Sequence, residues 1–516
     1  MVFLSSFQMS RKFRLFWHFF LVLFFVSFLE AKQSVLNLSI SSNPSRINPI
    51  LSTDSASSEI SGWLFDGLFK YDKFGKIIPD IAKNYKFENP QKLRVVLRND
   101  VFWHDGKLLT ADDVIFTFDT IRSPKIFAPI TSDFEKVKNI EKISDFEIVV
   151  NYKEPYYKAL EIWMVGLLPK HILVNEKDLM TSKFNKKPIG NGPYKLKKFE
   201  ISSDIELVAN KKFYDGEPKI NKIQYKFLPD SSTSFLLLGQ KKLDLASLNP
   251  LQLERQITDE IKQNYKVLET TSFAYTYLGF NLKNKKFANP KIREALSLAI
   301  NRQEIIDIMF FGHAQICYGP FLPKTFAYNE KFEKYEFDLQ KAKKILKSFG
   351  YDEKNPFEFE VVTNANNSIR VNTAEILQYQ LAKINVKMKI KVMEWQAFLN
   401  TVVTPKKFEA IILGWSLSLL PDAFPIWHSK SDFVGGFNIG SYKNDEVDRL
   451  IEEASKTVDE VQLSQKYKKI FELIRKDNPY LFLYIPNSIT AVNKKIRPIE
   501  PALIGIMHNQ KDWIKE

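Results

Sequence analysis

The chain has 516 residues, 74 Lys and Arg against 60 Asp and Glu, and a single cysteine, Cys317. At about 150 residues per domain this is about three to four domain-sized units, and the 45% hydrophobic content, with 43 Phe, excludes wholesale disorder. One cysteine excludes a disulfide framework and a cysteine-rich metal site, while the net charge of +14 leaves nucleic acid, an anionic membrane face or a lysine-rich surface open.

Arg11, Lys12 and Arg14 precede the apolar run Leu15–Leu29, and Ala31 follows as a small residue at a plausible cut. The run is short of the ~20 residues that span a bilayer. Basic start, short apolar middle and small residue read as a secretory signal peptide over 1–31, with an uncleaved anchor as the alternative. Cys317 lies far downstream, so lipid attachment at the end of the run is excluded. Export makes nucleic acid an unsuitable partner. Residues 1–31 hold three basic and one acidic residue, so their removal leaves +12.

After the leader, Val35–Ser41 alternates apolar and polar residues as a strand does. Asn43–Ser58 reads as a loop and Ile60–Phe69 as a buried turn or two of helix. Leu93, Val95 and Leu97 mark a half-buried strand ending near Trp103, and His104-Asp105-Gly106 is a turn. Thr110 and Asp113 form a capping-box pair for a helix reaching Arg122. Strands are expected at Glu147–Tyr152, Ile205–Ala209 and Ile223–Phe227, with a tight turn over Pro188–Tyr194. A strand over Tyr275–Asn281 leads to helices over Asn289–Phe311, Leu339–Phe349 and Arg370–Ile384. Val386–Met393 and Ala410–Trp415 are strands, Asp445–Thr457 and Glu460–Lys476 helices, and Leu481–Ile485 a short last strand. The mixture predicts α/β lobes.

Catalytic signatures are absent: no Gly-x-Ser-x-Gly elbow, phosphate loop or His-Glu-x-x-His occurs. The six histidines stand far apart, and Cys317 has no neighbour in sequence that would activate it. Aromatic residues gather instead at strand ends: Tyr275 and Tyr277, Trp395, Gly414-Trp415-Ser416, then Trp427 and His428. Core packing explains any one of them; together they also suit a cleft with flat apolar walls and a few polar anchors.

Four stretches carry a resemblance. They are "LRVVLRNDVFWHDGKLLTADDVIFTF" from Leu93, "PIGNGPYKLKKF" from Pro188 with "IELVANKKFYDGEPKINKIQYKFLPD" after it, "FNLKNKKFANPKIREALSLAINRQEII" from Phe280, and "GWSLSLLPDAFPIWHSK" from Gly414 with "YKNDEVDRLIEEA" after it. In this order the sequence resembles the extracellular solute-binding proteins of family 5, the peptide- and nickel-binding components of ABC importers. The resemblance implies a class II periplasmic binding protein: two α/β lobes joined by a two-crossing hinge, plus an extra inserted domain. Lobe I would comprise 32–66, 186–273 and 485–516, the extra domain 67–185, and lobe II 274–484. The crossings would fall near Thr271 and Ile485. The Trp-His-Asp-Gly turn would then be structural.

The implied function is capture of peptides between closing lobes and delivery to a membrane permease, by a periplasmic monomer with no catalytic residue, cofactor or resident metal. The implied pocket takes the loop Ser52–Ser58, including Ser55, with Trp395, Gly414, Trp415 and Ser416; Tyr275 joins the candidate binding residues from the aromatic pattern of its strand. Arg370 matches a family position that can hold a carboxylate. Two departures stand out. Peptide binders of the family often place an amine-binding aspartate four residues after the glycine of Gly-Trp, where this chain has Ser418; Asp422 is the nearest substitute. Oligopeptide binders can also carry an arginine just before Gly-Trp, where this chain has Ile412 and Leu413. A nickel-chelate or other small-solute binder, using His428 or an arginine with the tryptophans, is the alternative, and an exported hydrolase the more distant one.

Overall fold

The computed structural model describes residues 34–516 apart from 127, 129, 201–203 and 333–335. The expected leader lies outside the described residues. Three sheets organise the chain.

The first sheet runs in the order Val35–Ile40, Lys222–Phe227, Asp204–Ala209, Tyr194–Phe199, its first pair parallel and the others antiparallel. Period-two alternation puts Leu36, Leu38 and Ile40 into the core. The helix that follows spans Ser55–Leu64, earlier than the expected Ile60–Phe69. Asp54 explains the early start, since its side chain accepts from the Ser57 N–H and caps the helix. The helix stops where the Pro188–Tyr194 turn docks on it: the Asn191 and Gly192 N–H groups both donate to the Leu64 carbonyl. A Cβ on Gly190 would stand 1.9 Å from that oxygen, so the turn needs glycine there for close approach.

The second sheet is antiparallel throughout, in the order Ala82–Asn89, Lys92–Leu97, Glu147–Tyr152, Val137–Ser144. Helix Ala111–Ile121 packs beside it, and the Thr110 N–H donates to Asp113 Oδ2 at 3.0 Å, one half of the expected capping box. The Trp-His-Asp-Gly turn fastens this sheet to the first. His104 Nε2 lies 3.1 Å from the Gly192 carbonyl, and the Gly190 N–H donates to His104 Nδ1 at 3.1 Å, which fixes the neutral tautomer. Burial pushes the His104 pKa down to about 4.

The third sheet is the largest. Its main order is Leu245–Leu248, Tyr480–Asn493, Ala274–Phe280, Ala410–Ser416, Phe357–Asn364, Val386–Met393; Tyr265–Thr271 and Ala314–Ile316 also pair with Tyr480–Asn493. That 14-residue strand changes partners along its length. Its first part, Tyr480–Tyr484, pairs with Thr276–Gly279; from Asn487 onward it pairs with Tyr265–Thr271 and Leu245–Leu248. The short strand expected at Leu481–Ile485 is only its buried half. Pro486 lacks an N–H and sits where the partner changes, its carbonyl accepting from Ser272 N and Oγ. The far end of the chain returns to the start, with Lys515 Nζ donating to the Val35 carbonyl at 2.7 Å and to Asp244 Oδ2 at 2.6 Å.

The single helix expected over Asn289–Phe311 is two, Pro290–Leu298 and Arg302–Phe310. Asn301 caps the second by accepting from the Glu304 N–H. Arg302 Nε, buried, donates to the Phe482 carbonyl and anchors the break to the long strand.

Candidate functional site

At one end of two central strands of the large sheet, Tyr275 pairs with Trp415 and Thr276 with Gly414. Strand Phe357–Asn364 ends nearby and leads into helix Ser368–Ala382. Asn367 caps that helix by accepting from the Arg370 N–H at 3.0 Å, which sets Arg370 in its first turn. Tyr275, Arg370, Gly414, Trp415 and Ser416 line a cavity of about 290 Å³. Five of the sequence-predicted residues thus share one wall.

Arg370 Nη1 donates to Asn364 Oδ1 at 3.1 Å. Among the described residues no carboxylate lies within ion-pair reach of it. Burial lowers its pKa from the usual value. An enclosed cation without a counter-ion is a site for an anionic group, and a guanidinium matches a carboxylate in two parallel hydrogen bonds. Gly414 makes room for it: a Cβ there would stand 2.9 Å from Arg370 Nη2 and 2.8 Å from the Tyr275 carbonyl.

Ser55 lies elsewhere, on a cavity of about 540 Å³ beside the first sheet. This one opens at the carboxyl ends of the parallel strands Val35–Ile40 and Lys222–Phe227, where α/β sheets bind ligands. Its wall is rich in hydroxyls, among them Ser41, Ser231, Ser247 and Thr490, and it carries Glu59. The two cavities flank the long strand, since Ser488 borders one and Pro486 the other. A third, of about 640 Å³, lies where Lys73, Phe74, Thr271, Phe273, Leu322 and Leu503 meet.

Ion-pair clusters join distant stretches of the chain at two places. His313 Nδ1 and Nε2 each lie 2.9 Å from a carboxylate, Glu269 and Glu254 respectively. These contacts hold its pKa above the usual histidine value. At the second, Lys158 Nζ reaches Asp133 at 2.8 Å and Asp422 at 3.2 Å. Burial lowers the Lys158 pKa, but Asp422 and Asp133 outweigh it and the net shift is upward. Beside it, the Tyr157 hydroxyl donates to the Pro421 carbonyl at 2.8 Å.

Asp422 therefore lines a neighbouring cavity of about 240 Å³ with Trp415 and Ser418, but both its oxygens are engaged, one by Lys158 and one by the Phe424 N–H. Trp395 opens a short helix, packs on Phe398 and lines none of these four cavities. His428 is buried under Phe424, with Nδ1 accepting from the Lys430 N–H, and lines none of them either. Cys317 is buried and burial pushes its thiol up to about 12, an inert group.

Residues 76–436 match the family described as bacterial extracellular solute-binding proteins, family 5 Middle. The chain belongs to this family. The oligopeptide-binding protein AppA of Bacillus subtilis (strain 168) is 33% identical over 489 residues, 91% of this chain and 89% of its own length. Its structure in complex with a nonapeptide superposes with a TM-score of 0.83 at 31% identity, over 94% of this chain and 99% of that one. NikZ from Campylobacter jejuni in complex with Ni(L-His) superposes equally well, TM-score 0.83 at 28% identity, over 94% and 99%. As a family 5 protein the chain is a solute-binding component of ABC importers and not an enzyme, which agrees with the missing catalytic motifs. Its mixed α/β architecture is that of AppA and NikZ. Sequence reasoning did not single out Glu59, which sits in a segment read as the join of loop and helix, or Lys158, whose partner Asp422 is 264 residues away.

Proposed function

We propose that this protein is a periplasmic binding protein that captures peptides between the two flanks of the cleft and delivers them to the permease of an ABC importer. The observation that carries the reading is Arg370, a half-buried cation with a neutral partner only, beside the half-buried Trp415. A peptide's α-carboxylate suits it. Each unpaired polar group of a buried peptide costs roughly 1–3 kcal/mol, and the hydroxyl-rich wall opposite, with the strand end at Ser416, offers partners that do not read side chains. In this reading 32–66, 186–273 and 485–516 form one lobe, 274–484 the other and 67–185 the extra domain. The lobes close about the crossings near Thr271 and Ile485, and closure marks the loaded state for the permease. Residues 1–31 direct export.

AppA, whose structure holds a nonapeptide, supports a peptide. NikZ, whose structure holds Ni(L-His), supports a metal chelate, because a histidine carboxylate suits Arg370 as well. Native mass spectrometry of the protein purified from its own cell envelope separates them. A heterogeneous set of peptide masses is expected; a single nickel-bearing mass would replace the peptide with the chelate.

A further inference from the structure

The two flanking cavities have complementary charge. Arg370 is the one charged residue on the wall of the 290 Å³ cavity, and Glu59 the one on the wall of the 540 Å³ cavity. We infer that Glu59 receives the ammonium group of the ligand, so that the solute is a zwitterion held by its amine on one lobe and by its carboxylate at Arg370 on the other. The inference rests on the peptide reading of the cleft.

Glu59 follows Ser55 by one helical turn and both line the cavity with Ala56, while Ile60, Trp63 and Leu64 of helix Ser55–Leu64 are buried in the core. The carboxylate is held in place from behind. Trp63 Nε1 donates to the Tyr225 hydroxyl at 2.8 Å, and that hydroxyl donates to Glu59 Oε1 at 2.8 Å. No lysine, arginine or histidine pairs with Glu59 among the described residues. The residue is exposed to the cavity, and the partial shielding of its carboxyl by the wall raises its pKa.

The other acids near the cleft are engaged. Asp422 is bound by Lys158, Glu269 by His313 and Asn487, and Glu500 lies 3.6 Å from Lys73. With Ser418 where the family often has its aspartate, Glu59 is the acid left to meet an amine. A fixed carboxylate on a hydroxyl wall binds a primary ammonium through charge-assisted hydrogen bonds. A ligand that needs Glu59 and Arg370 together also has reason to draw both flanks onto itself.

The test is titration calorimetry with one peptide in three forms: free, N-acetylated and C-amidated. The wild-type protein should bind the free form about tenfold or more tightly than the N-acetylated form. Glu59→Gln should abolish that preference while leaving the amidation penalty in place, and Arg370→Gln should do the reverse. Tyr225→Phe, which keeps the carboxylate but frees its Oε1, should retain part of the amine preference. Equal wild-type affinity for the free and acetylated forms overturns the role of Glu59 without any variant having to fold. Persistence of the full preference in folded Glu59→Gln overturns it too. If the wild type binds none of the three forms, the peptide reading itself fails and the zwitterion assignment with it.

Discussion

Gly414 and Arg370 show how one missing methyl group supports the proposed binding site. The guanidinium occupies space that a Cβ on Gly414 would contest at 2.9 Å. Gly414→Ala should therefore weaken binding of a free-carboxylate ligand several-fold with unchanged far-ultraviolet circular dichroism; unchanged affinity would show that Arg370 does not bind the ligand in this position. Trp415→Ala removes a half-buried wall of the same cavity. It should raise Kd while the thermal midpoint moves little, read by calorimetry and melting. His104 makes a prediction about acid stability. Its folded pKa, about 4, lies below the unfolded value of 6.5. Its contribution is thus fully present above pH 6.5 and is lost as the pH falls toward 4. At 1.36 kcal/mol per unit, the loss is about 3 kcal/mol. Urea midpoints of His104→Gln should vary less between pH 6.5 and 4 than those of the wild type. Arg370 and the Gly-Trp pair were singled out through the resemblance and Tyr275 as an aromatic on a strand, and all of them line one cavity. Glu59 and Lys158 were not, because a charge acquires meaning from spatial neighbours that sequence spacing does not reveal.

Elements with a clean period were readable. Val386–Met393 and Ala410–Ser416 alternate or run apolar, and helices Asp445–Ser455 and Glu460–Asp477 repeat their buried residues every three or four positions. The outer strands Ala82–Asn89 and Val137–Ser144 carry almost no buried side chains, so their period is silent. The long strand is cut short in sequence because its apolar run ends at Ile485, just ahead of Pro486, where it changes from one set of partners to the other. The break before Arg302 has a visible signal in hindsight, the cap residue Asn301, with no glycine or proline to announce it. Asn301→Ala should cost about 1 kcal/mol in urea unfolding with ligand affinity unchanged; no loss would mean that the buried Arg302 alone sets the break.

Across the whole molecule, ion-pair clusters at His313 and at Lys158 join stretches far apart in the chain. Lys158 is the more enclosed, and Lys158→Met would leave Asp133 and Asp422 facing each other without a cation. A loss of about 3 kcal/mol in thermal unfolding is expected; a variant as stable as the wild type would show that water reaches the pair freely.

The return of Lys515 to Val35 has a consequence for the order of events during export. The first strand pairs with Lys222–Phe227, and its loose end is tied by a residue almost five hundred positions later. A chain that crosses a membrane amino end first must therefore hold its opening strand unfinished until nearly all of it has emerged. Such long-range closure is slow and leaves strand edges open while it waits. The second sheet, whose strands all fall between residues 82 and 152, can assemble early and without that delay. This sheet would then serve the nascent chain as its first folded part.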